Sequence, residues 1–318
     1  MAKHLQLLAL PLSDGVRRIV DGYLDVARRA LRGLSEHDPE TLHDFRVTLR
    51  RAHATLRAYG PRLRAVRPKE RRRLRGLVRA TNAGRDADVL LALLRRLSRN
   101  LSRQHRADLE PMRRRLRRTR RRAYEAGVED LRSEFDDVRR RLRRRLRRAE
   151  PCGITLGEAL GDRLLAEAAR LGEQLEGLGG ACAAADVHRT RLTVKRLRYL
   201  IEPAVPDLEE AQGLVQSLRS LQSRLGALHD LDVARTVIET EMGAGGNDPH
   251  ALREIADCIG TERRTLDEAL RRDCLGAGID DLMAASTRLA RALATRRPVQ
   301  RQRAGSARHD HRTARALR

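Results

Sequence analysis

Tryptophan is absent from this 318-residue chain, and four tyrosines and two phenylalanines are its only other large aromatic side chains. Proteins that hold single-stranded nucleic acid usually offer aromatic faces on which bases stack, so a partner without bases fits better. Lysine is nearly missing as well: Lys3, Lys69 and Lys195 are the whole set. The formal net charge of +24 is therefore carried by arginine, whose planar guanidinium can fork two phosphate oxygens at once. Such a balance predicts a polyanionic partner: nucleic acid, an acidic membrane surface or a chain of phosphates. Duplex DNA needs only backbone cations and is the second choice. Neither a zinc-finger spacing nor a basic region with a leucine zipper is present.

Cysteine is sparse, and Cys152, Cys182, Cys258 and Cys274 show no zinc-ligand or redox spacing. Reduced thiols follow, with no metal and no other cofactor expected. Long apolar runs are also lacking. The first twelve residues are apolar for only about eight positions, too short for a signal core or a membrane span. The expectation is a soluble cytoplasmic protein with no membrane partner. Its oligomeric state is not encoded in these features.

Leucine, valine and alanine recur at three- and four-residue spacings along almost the whole chain, and no β-type alternation persists. The fold class is all-α. Asp38-Pro39 and Asp248-Pro249 place a capping carboxylate before a first-turn proline. Breaks are predicted at Tyr59-Gly60-Pro61, Glu150 to Gly153, Gly177 to Gly180, Glu202-Pro203 and Gly243 to Asn247. They divide the chain into helices over 13–34, 39–59, 68–82, 86–101, 105–149 with Pro111 as a candidate interruption, 155–177, 186–202, 207–225, 229–242, 249–275 and 279–295. Within 105–149 two arginine blocks, 113–122 and 139–148, ride an apolar seam of Tyr124, Val128, Leu131, Phe135, Val138, Leu142 and Leu146. Those arginines either pair with neighbouring carboxylates on a wet face or touch a polyanion. From Arg296 there is almost nothing to bury, which predicts a disordered basic tail over 296–318.

One block occurs twice. His43-Asp44-Phe45-Arg46-Val47-Thr48-Leu49-Arg50-Arg51 is matched about 145 residues on by His188-Arg189-Thr190-Arg191-Leu192-Thr193-Val194-Lys195-Arg196. Arg85-Asp86-Ala87-Asp88-Val89 is matched at nearly the same offset by His229-Asp230-Leu231-Asp232-Val233. Two ordered blocks with almost equal offsets indicate duplicated halves, 8–150 and 151–295.

At 100° per residue His43, Arg46, Arg50 and Arg57 share one helix face, opposite Phe45, Leu49, Ala52, Leu56 and Tyr59. His188, Arg191, Lys195 and Arg198 repeat the arrangement, with Val187, Val194, Leu197 and Ile201 turned away. The polar face reads as a phosphate stripe and the other as core. From His43 to Arg57 a helix rises roughly 21 Å, enough to meet several successive phosphates. Histidine suits such a stripe because a nearby polyanion raises its pKa and, once protonated, it donates from both nitrogens. Arg51 and Arg196 lie off the stripe's centre and either flank it or pair with carboxylates. Asp86 and Asp230 stand where new helices are expected to begin, as caps or as partners that orient a stripe arginine.

These blocks, with Lys195-Arg196-Leu197-Arg198-Tyr199 and Leu225-Gly226 to Val233, make the sequence resemble the CHAD family, the conserved histidine α-helical domain, over about residues 8 to 295. The resemblance implies two helical bundles about a pseudo-twofold axis, with a basic surface or channel between them. It also implies binding of long inorganic polyphosphate and association with polyphosphate granules. Carried over by position, phosphate contacts fall to His43, Arg46, Arg50 and Arg57, and to His188, Arg191, Lys195 and Arg198. Arg75 and Arg219 are equivalent candidates on the next helices. Two positions depart from symmetry: Asn82 stands where the second half has Gly226, and Glu202 stands opposite Arg57, removing one cation. No alternating-glutamate element of a CYTH-type triphosphatase is present. His43-Asp44 and His229-Asp230 superficially match the pair of a metal phosphohydrolase, but the surrounding cations would repel a divalent metal. Binding without catalysis is expected.

Overall fold

The computed structural model describes residues 6–34, 39–64, 66–125, 128–180, 183–243 and 249–294. Thirteen α-helices run through them: α1 Gln6–Ala9, α2 Leu12–Arg32, α3 Pro39–Leu63, α4 Pro68–Ala80, α5 Asn82–Leu97, α6 Arg103–Asp108, α7 Glu110–Glu125, α8 Val128–Arg147, α9 Leu156–Glu176, α10 Ala184–Ile201, α11 Glu209–Gly243, α12 Pro249–Cys274 and α13 Ala277–Ala294. The only extended pairing among them is an isolated bridge between Pro11 and Thr155. The protein is all-α. No described helix is long and apolar enough to cross a membrane.

Local chemistry accounts for several helix starts. Pro39, Pro68 and Pro249 open their helices, where a missing N–H costs nothing. Thr155 opens α9 with a capping box: its hydroxyl accepts from the Glu158 N–H, and the Glu158 carboxylate accepts from the Thr155 N–H. Asp38, Asp248, Cys182 and the tail lie outside the described residues, as do the side chains of Tyr124 and Val128.

Three helix boundaries differ from the expected ones. α3 continues through Pro61 to Leu63. The proline leaves only the carbonyl of exposed Arg57 without its helical donor, and burying Leu63 rewards the extra turn. The segment 105–149 is three helices. Conversely, α11 runs unbroken through Gly226, since an interior glycine costs only about 1 kcal/mol and this one lets the Arg191 side chain lie against the backbone. Asp230 is therefore mid-helix and Asp86 lies inside α5, so neither caps a helix.

Packing partners recur in order. α2 packs on α3, α3 on α4, α4 on α8 and α8 on α2; α9 packs on α10, α10 on α11, α11 on α13 and α13 on α9. The two sets meet where α3 crosses α10 and α2 touches α9. Buried side chains ignore the boundary between the segments. One core holds Phe45, Leu49 and Phe135 together with Leu160, Val194 and Leu218. A second holds Leu90, Leu94 and Met112 together with Leu231, Ile238 and Ile255. At about 1.5–3 kcal/mol for each fully buried large apolar side chain, this shared burial holds α3 and α10 in place.

The seam of α8 is buried at Leu131, Phe135, Val138, Leu142 and Leu146, with the Phe135 ring edge-on to Phe45, centroids 5.7 Å apart. Many arginines of the two blocks clamp helices together. Arg143 pairs with Asp21 at 3.1 Å and with Asp25 at 2.7 Å, Arg145 with buried Glu70 at 2.8 Å, and Arg120 with Asp88 at 2.9 Å. Their partners sit on other helices rather than one turn away.

Candidate functional site

Where α3 meets α10, a cavity of about 650 Å³ opens, bounded also by α4, α5 and α11. Helix periodicity aims its walls. Phe45, Leu49, Ala52, Leu56 and Tyr59 of α3 are all buried in the core, which turns His43, Arg50, His53 and Arg57 toward the cavity. On α10, burial of Val187, Val194, Leu197 and Ile201 does the same for His188, Arg191 and Lys195.

Nine of the residues singled out from sequence line this one space: His43, Arg46, Arg50, Arg57, Arg75, His188, Arg191, Lys195 and Arg196. Their situations differ. Arg46 is only 3% exposed; it donates to the Val78 carbonyl at 2.9 Å, to Thr81 Oγ1 at 2.6 Å and to Asn82 Oδ1 at 3.0 Å. Its guanidinium thus straps α3 to the α4–α5 junction. Arg196, expected off-centre, faces the cavity close enough to Arg57 for mutual repulsion.

Arg51, Arg198 and Arg219 are not in the lining and gather on Glu202 instead. Arg51 grips that carboxylate with two bonds of 2.7 and 3.1 Å. Arg198 bonds it at 2.5 Å and also donates to Gln222 at 3.0 Å, while Arg219 stands 3.9 Å away. Both closer guanidiniums also sit over the Tyr199 ring. The expected stripe position of Arg198 is corrected accordingly: its charge is spent inside the protein. The acceptor lies one turn further on, at i+4, a spacing at which helix side chains meet.

Three basic side chains of the lining carry no role in the sequence reading: His53, Arg85 and His229. Each carried a signal. His53 sits seven residues after Arg46 and three after Arg50, on the stripe side of the helix, and Arg85 and His229 are equivalent positions of the second matched block.

The cavity's cations crowd one another. Among the described residues Arg50, Arg57, Arg75, Arg85, Arg191, Lys195 and Arg196 form no ion pair, and the buried Arg191 Nε has no hydrogen-bond partner. Burial, then Arg191 and Arg50, pushes Lys195 down to about 7. Burial, then Arg75 and Arg57, lowers His53 to about 4; burial, then Arg191 and His188, does the same to His229. His43 and His188 are also lowered, by burial and then by Arg85 and Arg191 respectively. Burial raises Asp230 against the pull of Arg191 and Lys195. Excess positive charge held partly out of water is relieved by an anion. Among the described residues no group of three or more His, Cys, Asp or Glu is placed to hold a metal ion. A second groove, about 710 Å³ between α9, α11 and α13, mixes Glu209, Glu210 and Asp281 with Arg224 and Arg288, so no single charge converges there.

Helix order and cavity together define an all-helical protein with a cation-rich recess where α3 meets α10. The CHAD domain profile matches residues 18–239, and the chain belongs to the CHAD domain family. It is similar in structure to the CHAD domain from the plant Ricinus communis, at 22% identity and a TM-score of 0.62, over 88% of this chain and 92% of that one. It is also similar to PptA from Streptomyces chartreusis, at 18% identity and a TM-score of 0.54, over 88% of this chain and 99% of that one. At such identities the likeness is one of fold. A search of curated proteins found no match.

Proposed function

We propose that this recess binds a chain of inorganic phosphates and does not cleave it, in the cytoplasm, with placement on polyphosphate granules following from that affinity. The observation that carries the reading is the convergence on one cavity of seven basic side chains that form no ion pair among the described residues, where Lys195, His53 and His229 are shifted toward losing charge. A linear polymer fits better than one phosphate group, since the lining spans α3 from His43 to Arg57, roughly 21 Å of helix. The family resemblance points to the same ligand. For metal-assisted hydrolysis the arrangement is adverse: Asp44 is exposed outside the lining, and Asp230 lies among Arg191, Lys195 and Arg85, which oppose a divalent cation.

Competition tests the choice of polyanion. Labelled long-chain polyphosphate bound to the protein should resist duplex DNA or RNA at equal phosphate concentration, and its affinity should fall steeply with salt as counterions compete. Displacement by nucleic acid at parity would shift the reading to a nucleic-acid backbone binder.

Binding should also weaken as pH rises from about 6 to 9. A phosphate chain favours protonated Lys195 and protonated imidazoles, so their pKa values in the complex lie above those of the free protein. Protons are then taken up on binding, and affinity rises as pH falls through the bound-state values. It levels off below the free-state ones, about 7 for Lys195 and about 4 for His53 and His229. Calorimetry in buffers of different ionisation enthalpy measures the uptake, and Lys195→Arg should flatten the upper part of the profile. Affinity independent of pH between 5 and 9 would contradict this assignment.

A further inference from the structure

The cavity has two unlike ends. α3 and α10 enter it with His43 and His188 and leave it with Arg57 and with Arg196 and Tyr199. At the later end charge dominates: Arg57 and Arg196 repel each other, and His53 is surrounded by Arg75, Arg57, Arg71 and Arg196. At the earlier end α5 contributes Val89 and Leu93, and α11 contributes Val233 one turn after His229. Val233 is 44% exposed, and among the described large hydrophobics only Leu165 is more exposed. A bare phosphate chain presents oxyanions on every side and gains nothing from valine methyls, whose exposure to water costs free energy until something apolar covers them.

Two further features of that end suit an organic group. The rings of His188 and His229 lie 4.6 Å apart between centroids, tilted at 44°, forming a small aromatic platform of the kind on which planar bases stack. Burial and the nearby Arg191 disfavour charge on both imidazoles. Asp86 and Asp230 also line the cavity; a carboxylate repels phosphate but accepts a hydrogen bond from a ring N–H or an exocyclic amine. About 650 Å³ falls within the size range of pockets that enclose one small organic ligand.

We propose that the cavity takes a nucleoside polyphosphate, with its base on the His188–His229 platform against Val89 and Val233 and its phosphates on Arg50, Lys195 and their neighbours. This rests on the anion-binding reading of the cavity and adds to it an end that recognises an organic group.

Calorimetric titration of the full chain with inorganic tripolyphosphate, ATP and GTP, at fixed ionic strength without divalent metal, tests it. The triphosphate of at least one purine nucleoside should bind about tenfold more tightly than tripolyphosphate, the size expected from stacking one base. The double variant Val89→Ser/Val233→Ser should lose that advantage and hold tripolyphosphate as before; its helicity and thermal midpoint serve as controls for folding. Equal binding of all three ligands, or a variant that weakens tripolyphosphate as much as the nucleotides, would overturn the proposal and leave phosphate-chain binding intact. If neither tripolyphosphate nor long polyphosphate binds, the anion-binding reading fails and the proposal fails with it.

Discussion

Replacing Arg50, Arg57, Lys195 and Arg196 together with alanine is expected to weaken binding of long-chain polyphosphate by about a hundredfold or more, leave the helical content unchanged and raise the thermal midpoint. The four side chains line the cavity from α3 and α10 and form no ion pair among the described residues, so their removal breaks no salt bridge and forfeits only the longer-range attraction of Asp230 and Glu167. Arg46 stays in place because it ties α3 to Val78, Thr81 and Asn82. Each lost phosphate contact should also reduce the slope of log affinity against log salt by about 0.7, or roughly 2 to 3 for all four. The gain in stability follows from linkage. Lys195 falls from 10.5 to about 7 in the folded protein, so the unfolded chain binds its proton more tightly. Folding is penalised at pH 7 and below, and the penalty fades as pH rises toward 10.5. Removing the amine abolishes it, a gain of about 2–4 °C for each kcal/mol relieved. Fluorescence polarisation with labelled polyphosphate and a thermal melt measure both effects. Retained affinity would move the site to the α7 and α8 arginines or to residues 296–318.

Glu202→Gln should do the opposite: destabilise strongly with little effect on the cavity. Its carboxylate side chain is 10% exposed and neutralises Arg198, itself 9% exposed, at 2.5 Å, together with Arg51 at 2.7 Å. Breaking a buried pair by removing one partner costs about 3–5 kcal/mol, because the other charge is left buried. The thermal midpoint should fall by roughly 8 °C or more. Adding Arg198→Met should restore much of the loss, since an apolar replacement no longer needs the carboxylate. The folded fraction of the single variant should bind polyphosphate about as well as the parent, for neither Arg198 nor Arg51 lines the cavity. A shift of only 1 °C or so, or a collapse of affinity in the folded fraction, would show that Glu202 does not serve as a structural hub.

These two results separate cations that the sequence makes look alike. His43, Arg46, Arg50 and Arg57 share a helix face by periodicity alone, as do His188, Arg191, Lys195 and Arg198, and the core residues opposite them are buried as that pattern requires. Such facts are local and therefore legible. What becomes of each guanidinium is not local: Arg46 finds acceptors 32 to 36 residues away, and Arg51 finds Glu202 at a separation of 151. No periodicity encodes those partners. The unbroken course of α11 was hidden for a related reason, since Gly226 resembles a stop until Arg191 is seen lying against it. The apolar wall of the cavity was equally hidden: Val89 and Val233 sit in the second matched block as ordinary core-type residues, and only the meeting of α5 with α11 leaves Val233 uncovered.

Phosphorus-31 NMR of a size-defined polyphosphate with the intact protein, in the presence of magnesium, tests the central claim most directly, because it reports grip and cleavage together. Binding without turnover predicts broadened internal-phosphate resonances at near-equimolar protein, reversal on adding salt, and a constant ratio of end to internal groups over a day. Sharp, unshifted internal resonances at low salt, or a growing orthophosphate signal, would contradict it.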